Sequence, residues 1–181
     1  MQRLLRFVGL LNLAVWLGGA VFFTVAVGPA FFSGEMLGFL PRPYAGRAAE
    51  VIVERYLGLQ CWCAGVALLH LLAEYLHSGR PVARLTLGLL TGLLALGLLG
   101  GNWLVPKMHA LERVRYSTRT TPVEKAQAAA TFGVLHGTSQ AVNLLQLAGL
   151  LYLFWDLARP GSALRFAHLD NPDPRLIWPV P

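Results

Sequence analysis

Between Phe7 and Gly28, and again between Leu85 and Val105, the chain carries no charged residue. Runs of this length match the roughly 20 helical residues needed to cross a hydrocarbon core of about 30 Å. Two further segments are comparable: Val51 to Leu76, uncharged between Tyr56 and Ala73, and Phe132 to Trp155, uncharged throughout. A soluble domain of 181 residues has no core large enough to cover such helices all round, whereas lipid covers them at no cost. Charged residues make up 13% of the chain, about half the roughly 25% usual for soluble domains. The expected fold is therefore all-α, a polytopic membrane protein built as a four-transmembrane-helix bundle over residues 1–158. Its spans are expected at about 7–28, 51–76, 82–105 and 132–155, with a proline-rich C-terminal tail at 159–181.

Proline cannot continue a helical hydrogen-bond ladder, so Pro29 and Pro106 are expected to close the first and third spans. Residues 30–50, with mixed charge, glycine and proline, read as a structured loop carrying a short interfacial helix. Ser78-Gly79-Arg80-Pro81 is a tight turn, and Thr121-Pro122-Val123-Glu124 is a helix start with a threonine cap and an acidic first turn. Ile177 and Trp178 are placed to anchor the tail at the interface. The N-terminal run is longer than a signal-peptide core, and cleavage after Gly28 would leave Pro29 next, so it reads as an uncleaved first span. An even number of spans puts both termini on one side. Arg3, Arg6, Arg80 and Arg84 sit in short segments of that side, and such segments favour the cytoplasm. The expected location is a bacterial inner (plasma) membrane.

The net charge of +6 does not imply nucleic acid as a partner. The basic residues flank apolar runs, where lipid headgroups meet them, and no basic stripe or stacking platform accompanies them. Cys61 and Cys63 are two apart on a helix and point to nearly opposite sides. They read as small apolar packing residues, and a disulfide framework is excluded. No phosphate-cradling glycine loop, zinc helix or nucleophile elbow occurs. No carboxylate lies at mid-membrane, which argues against proton- or sodium-coupled transport.

Polar groups inside the spans carry what functional signal there is. His136, Ser139 or Gln140, Asn143 and Gln146 share one face of the fourth span at helical spacing. Counting about 1.5 Å per residue brings Asn102 of the third span, and Glu54 of the second, to the level of His136. Two readings follow: interhelical hydrogen bonds that hold the bundle together, or a polar pocket of His136, Ser139, Asn143, Asn102, Glu54 and Trp103. For a metal, His136 and His109 are the candidates. His70 and His136 differ in depth by about 20 Å, too far to be two axial ligands of one haem. Gly88, Gly92, Gly97, Gly101, Gly133 and Gly137 have the small-xxx-small spacing of close helix contacts.

Three stretches resemble the transmembrane protein 205-like family, whose bacterial members carry a domain of unknown function numbered 4149. They are Gly28-Pro29-Ala30-Phe31-Phe32 with Leu40-Pro41-Arg42 and Ala45-Gly46-Arg47, then Asn102-Trp103-Leu104-Val105-Pro106-Lys107, then Phe132 to Ser139 with its His136-Gly137 pair and Asn143-Leu144. The resemblance implies four helices and draws attention to Asn102, Trp103, Pro106, His136, Gly137, Ser139 and Asn143. A more distant similarity to copper-resistance D-like proteins implies haem or copper handling, although the first-span histidine of its haem-dependent members is missing. The function expected is a non-enzymatic accessory or small-solute-handling bundle with no cofactor assigned. The alternatives are a haem- or metal-dependent membrane oxidoreductase and a structural subunit. Expected partners are the lipid bilayer and either a second copy or a larger membrane complex.

Overall fold

Pro29 and Pro106, expected to end their spans, lie instead inside continuous helices. In the computed structural model, which describes residues 2–79 and 81–159, helix α1 (Gln2–Phe22) runs through a π-helical turn at Phe23–Val27 into α2 (Gly28–Phe31). Helix α5 (Arg84–Leu99) likewise passes through a π turn at Gly100–Leu104 into α6 (Val105–Tyr116). In each case the residue before proline donates its N–H five residues back, Gly28 to the Phe23 carbonyl and Val105 to the Gly100 carbonyl. A proline ring removes one donor and crowds the carbonyl four residues earlier. Widening the preceding turn accommodates the ring without breaking the helix.

Between these elements lie α3 (Gly34–Phe39), capped by the Ser33 hydroxyl accepting from the Met36 N–H at 3.2 Å, and α4 (Arg42–Ser78). Helix α4 ends at Gly79, whose φ of 65° is the left-handed conformation that favours glycine. The last helix, α7 (Pro122–Ala158), starts as expected with a capping box: Glu124 N–H to Thr121 Oγ1, and Thr121 N–H back to the Glu124 carboxylate. Arg80 and the tail from residue 160, with Ile177 and Trp178, fall outside the described residues.

Among the described residues, four helical stretches are long and apolar enough to cross a membrane: Leu4–Phe31, Arg42–His77, Arg84–Tyr116 and Pro122–Ala158. Each crossing is longer than its apolar run. Helices α4 and α7 have 37 residues apiece, about 55 Å at helical rise against a hydrocarbon core of about 30 Å. The excess lies mostly on the side opposite the termini, where α6 and the start of α7 pair as a hairpin.

The two halves of the chain share one plan. Each opens with a helix carrying a π turn just before a proline, and each closes with a 37-residue helix that has proline in its first turn. Helix α1 packs on α4 and α7, α4 also on α5, and α6 on α7, so the crossings form a ring. Leu13, Trp16, Ala20, Cys63, Ala64, Leu90, Leu93 and Leu150 fill its centre. Large apolar side chains such as Trp62, Leu69, Leu145 and Leu151 cover the outside, as lipid contact requires.

The expectation that the paired glycines face other helices holds for some and fails for others. A methyl group added at Gly97 would stand 2.9 Å from Cys61 Sγ, and one at Gly100 would meet Leu57. At Gly88, Gly92, Gly101, Gly133 and Gly137 nothing lies within 4 Å. Small-xxx-small spacing records which residues share a face, and these faces turn away from the other described residues.

Candidate functional site

Where α4 and α7 face one another across the ring, the interior is polar. The Gln146 side-chain amide donates to Gln60 Oε1, and both residues are buried, at 6% and 1% exposure. One turn nearer the side opposite the termini, the Tyr56 hydroxyl donates to Asn143 Oδ1 at 3.2 Å. Asn143 Nδ2 in turn donates to Thr24 Oγ1 at 2.8 Å, and the Thr24 hydroxyl donates to the Ala20 carbonyl at 2.7 Å. The Phe23 ring, in the π turn of the first crossing, stacks on Tyr56 with centroids 4.0 Å apart. Three crossings thus contribute to one layer, which holds no formal charge. Such a layer is stable in lipid because its members satisfy one another.

The spacing that builds it is simple. Tyr56 and Gln60 are four apart on α4, Asn143 and Gln146 three apart on α7, and Ala20 and Thr24 four apart on the first crossing, so each set stacks on one helical face. Two members fall short of full pairing: Trp16 Nε1 and Gln60 Nε2 are enclosed and make no hydrogen bond among the described residues. Beside the layer, Asn12 Nδ2 donates to the Cys63 carbonyl at 2.9 Å. Further toward the termini, His70 Nε2 lies 2.7 Å from the Leu5 carbonyl. A carbonyl only accepts, so that nitrogen carries the proton.

Of the residues singled out from sequence, Asn143 enters this layer and the group around His136 does not form. His136 is exposed on the outer surface, with Nε2 3.1 Å from Gln140 Nε2 and its ring stacked on Phe132. Ser139 donates to the His136 carbonyl of its own helix at 2.7 Å. Asn102 is also exposed and donates to the Leu98 carbonyl of its own helix at 2.9 Å. Glu54 is exposed, and Trp103 is exposed with Lys107 Nζ 5.1 Å above its ring. Counting residues gives depth alone, and depth does not say which way a helix face turns. Thr24, Tyr56, Gln60 and Trp16 escaped the sequence reading. For the first three the signal was available as isolated hydrogen-bonding side chains in uncharged spans.

His109, the other candidate metal ligand, belongs to a charged cluster beyond the apolar spans. Arg47 Nη1 contacts Glu50 Oε2 at 2.5 Å and His109 Nε2 at 2.7 Å. Arginine only donates, so Nε2, the closer contact, is an acceptor. Nδ1 faces Glu50 Oε1 at 3.4 Å, with Arg113 Nη2 3.3 Å away. The ring's lone pair is therefore engaged by a guanidinium. Among the described residues no three His, Cys, Asp or Glu side chains converge as metal ligands. The cluster joins the start of α4 to α6, and so the first half of the chain to the second.

Residues 11–117 match the family model described as "Domain of unknown function (DUF4149)". The match takes in the first three crossings, both π turns and the Arg47–His109 cluster, and ends before α7, so the His136-Gly137 and Asn143-Leu144 pairs lie beyond it. No curated protein and no solved structure matches the chain.

Proposed function

Because the chain belongs to the family of that domain of unknown function, we propose its role from the geometry of its interior: a non-enzymatic membrane protein that handles a small polar solute. The buried Gln60–Gln146 pair, standing where the two halves meet, carries this reading. Membrane proteins built from two like halves commonly bind their solutes near the bilayer midplane at the junction of the halves. π-Helical turns recur at functional sites, and both of those here border α4 beside the layer, through Phe23 on Tyr56 and Gly100 near Leu57. The relations to transmembrane protein 205-like and copper-resistance D-like proteins, and a bacterial inner membrane with cytoplasmic termini, stand as parts of the same proposal.

The test is a permeability screen. Purified protein in liposomes is challenged with small neutral solutes, and the rate of volume change is followed by light scattering. Faster entry of at least one solute with the wild type, lost in Gln60→Leu and Gln146→Leu, is the expected result. No acceleration for any solute, together with stoichiometric co-purification of other membrane proteins, would replace this role with that of a structural subunit. A Soret band or stoichiometric copper in the purified protein would favour the oxidoreductase or metal-handling alternative.

A further inference from the structure

The layer's unused hydrogen-bonding capacity lies mainly on the donor side. Trp16 and Gln60 are each 1% exposed, and Trp16 Nε1 and Gln60 Nε2 have no partner among the described residues. Most neighbouring acceptors already hold a donor: Gln60 Oε1 from Gln146, Asn143 Oδ1 from Tyr56, Thr24 Oγ1 from Asn143, and the Cys63 carbonyl from Asn12, while the Tyr56 oxygen, four residues from Gln60, keeps acceptor capacity. The two free donors share a level. Helices α1 and α4 run antiparallel, and their contacts pair Asn12 with Cys63, Gly19 with Leu59 and Phe23 with Tyr56. Trp16 therefore stands opposite the turn that holds Gln60, and both side chains are buried. Leaving such donors unpaired is costly, so a guest that accepts from both is favoured.

The charge pattern narrows the guest further. The segments that frame the layer, 7–28, 56–73 and 132–155, hold no Asp, Glu, Lys or Arg. A cation would meet donors and no carboxylate, and an anion would lose its hydration with no cationic side chain to compensate. We propose that the layer binds a small uncharged hydrogen-bond acceptor, its carbonyl or sulfoxide oxygen held between Trp16 Nε1 and Gln60 Nε2. The proposal names the solute class for the solute-handling role above and rests on it.

The experiment uses the full chain in lipid nanodiscs with ¹⁵N-labelled indole, the Trp16 resonance being assigned by its loss in Trp16→Phe. The probes are N,N-dimethylacetamide as neutral acceptor, methylammonium as cation and acetate as anion. A saturable downfield shift of the Trp16 indole proton with dimethylacetamide alone, lost in Gln60→Met, is the expected outcome. A shift with methylammonium or acetate would overturn the proposal. So would an indole proton that exchanges with bound water which dimethylacetamide never displaces, or one bonded directly to the Gln60 side-chain oxygen. Proteoliposome flux of dimethylacetamide separates this proposal from the role it rests on. Binding without flux would sink solute handling and keep the site. Flux of other solutes that survives both Trp16→Phe and Gln60→Met would keep the handling and sink the site.

Discussion

Helix α7 carries two polar groups that the sequence places on one face and the bundle treats oppositely. Asn143 and Gln146 reach across to Thr24, Tyr56 and Gln60. His136 and Gln140, one to two turns earlier, pair with each other on the outer surface. The difference lies in the neighbours. At Asn143 the first and second crossings close over the helix, while His136 faces outward beside Phe132. A polar residue in a span therefore has structural weight when a neighbouring helix offers it a partner, whatever its own chemistry.

Substitution should separate the two groups sharply. Gln60→Leu leaves the Gln146 amide enclosed without its acceptor and should lower stability in detergent by about 1–3 kcal/mol. Replacing both glutamines by leucine should recover most of that loss, because removing both partners can be nearly neutral. His136→Ala, on the outer surface, should stay within about 0.5 kcal/mol. Thermal unfolding of the four proteins would check this, and a loss for His136→Ala as large as that for Gln60→Leu would erase the distinction.

The glycines allow the same contrast in packing. Gly97→Leu drives side-chain atoms into Cys61 and should cost about 1–3 kcal/mol, whereas Gly92→Leu enters open space and should leave the isolated chain's stability unchanged. A destabilised Gly92→Leu variant would mean that another helix covers that face. A smaller effect is expected at Gly9, where an added methyl would sit 2.7 Å from the His70 ring. Gly9→Ala should displace the imidazole from the Leu5 carbonyl, losing about 0.5–1.5 kcal/mol for that hydrogen bond. The His70 ring ¹⁵N shifts should then move toward those of a tautomeric mixture. Comparable in size, Thr121→Ala removes the α7 cap and should cost about 1 kcal/mol, read as earlier fraying of residues 122–126 by amide exchange.

Much of the architecture was legible in the sequence. The uncharged runs gave the four crossings, and Thr121, Pro122 and Glu124 gave the start of α7. The prolines differ from the expectation because a missing donor need not end a helix: a wider turn at Phe23–Val27 and at Gly100–Leu104 absorbs it. The site was legible in part. Asn143 and Gln146 stand on the polar face of the fourth span, but within that face His136, a residue type associated with ligation and proton transfer, is the stronger signal in sequence. Gln60, an amide in the uncharged centre of the second crossing, went unremarked, although burial gives such a group more structural weight than an exposed histidine. Which face turns inward depends on how neighbouring helices rotate about their axes, and periodicity within one helix does not contain that information.

The central claim is that the polar residues of α4 and α7 meet at the Gln60–Gln146 level and not around His136. Oxidative cross-linking in native membranes tests it most directly, in a background with Cys61→Ala and Cys63→Ala. Gln60→Cys with Gln146→Cys should form an intramolecular disulfide readily, while Asn102→Cys with His136→Cys should not. Efficient cross-linking of the Asn102 and His136 positions, with none at Gln60 and Gln146, would contradict the account.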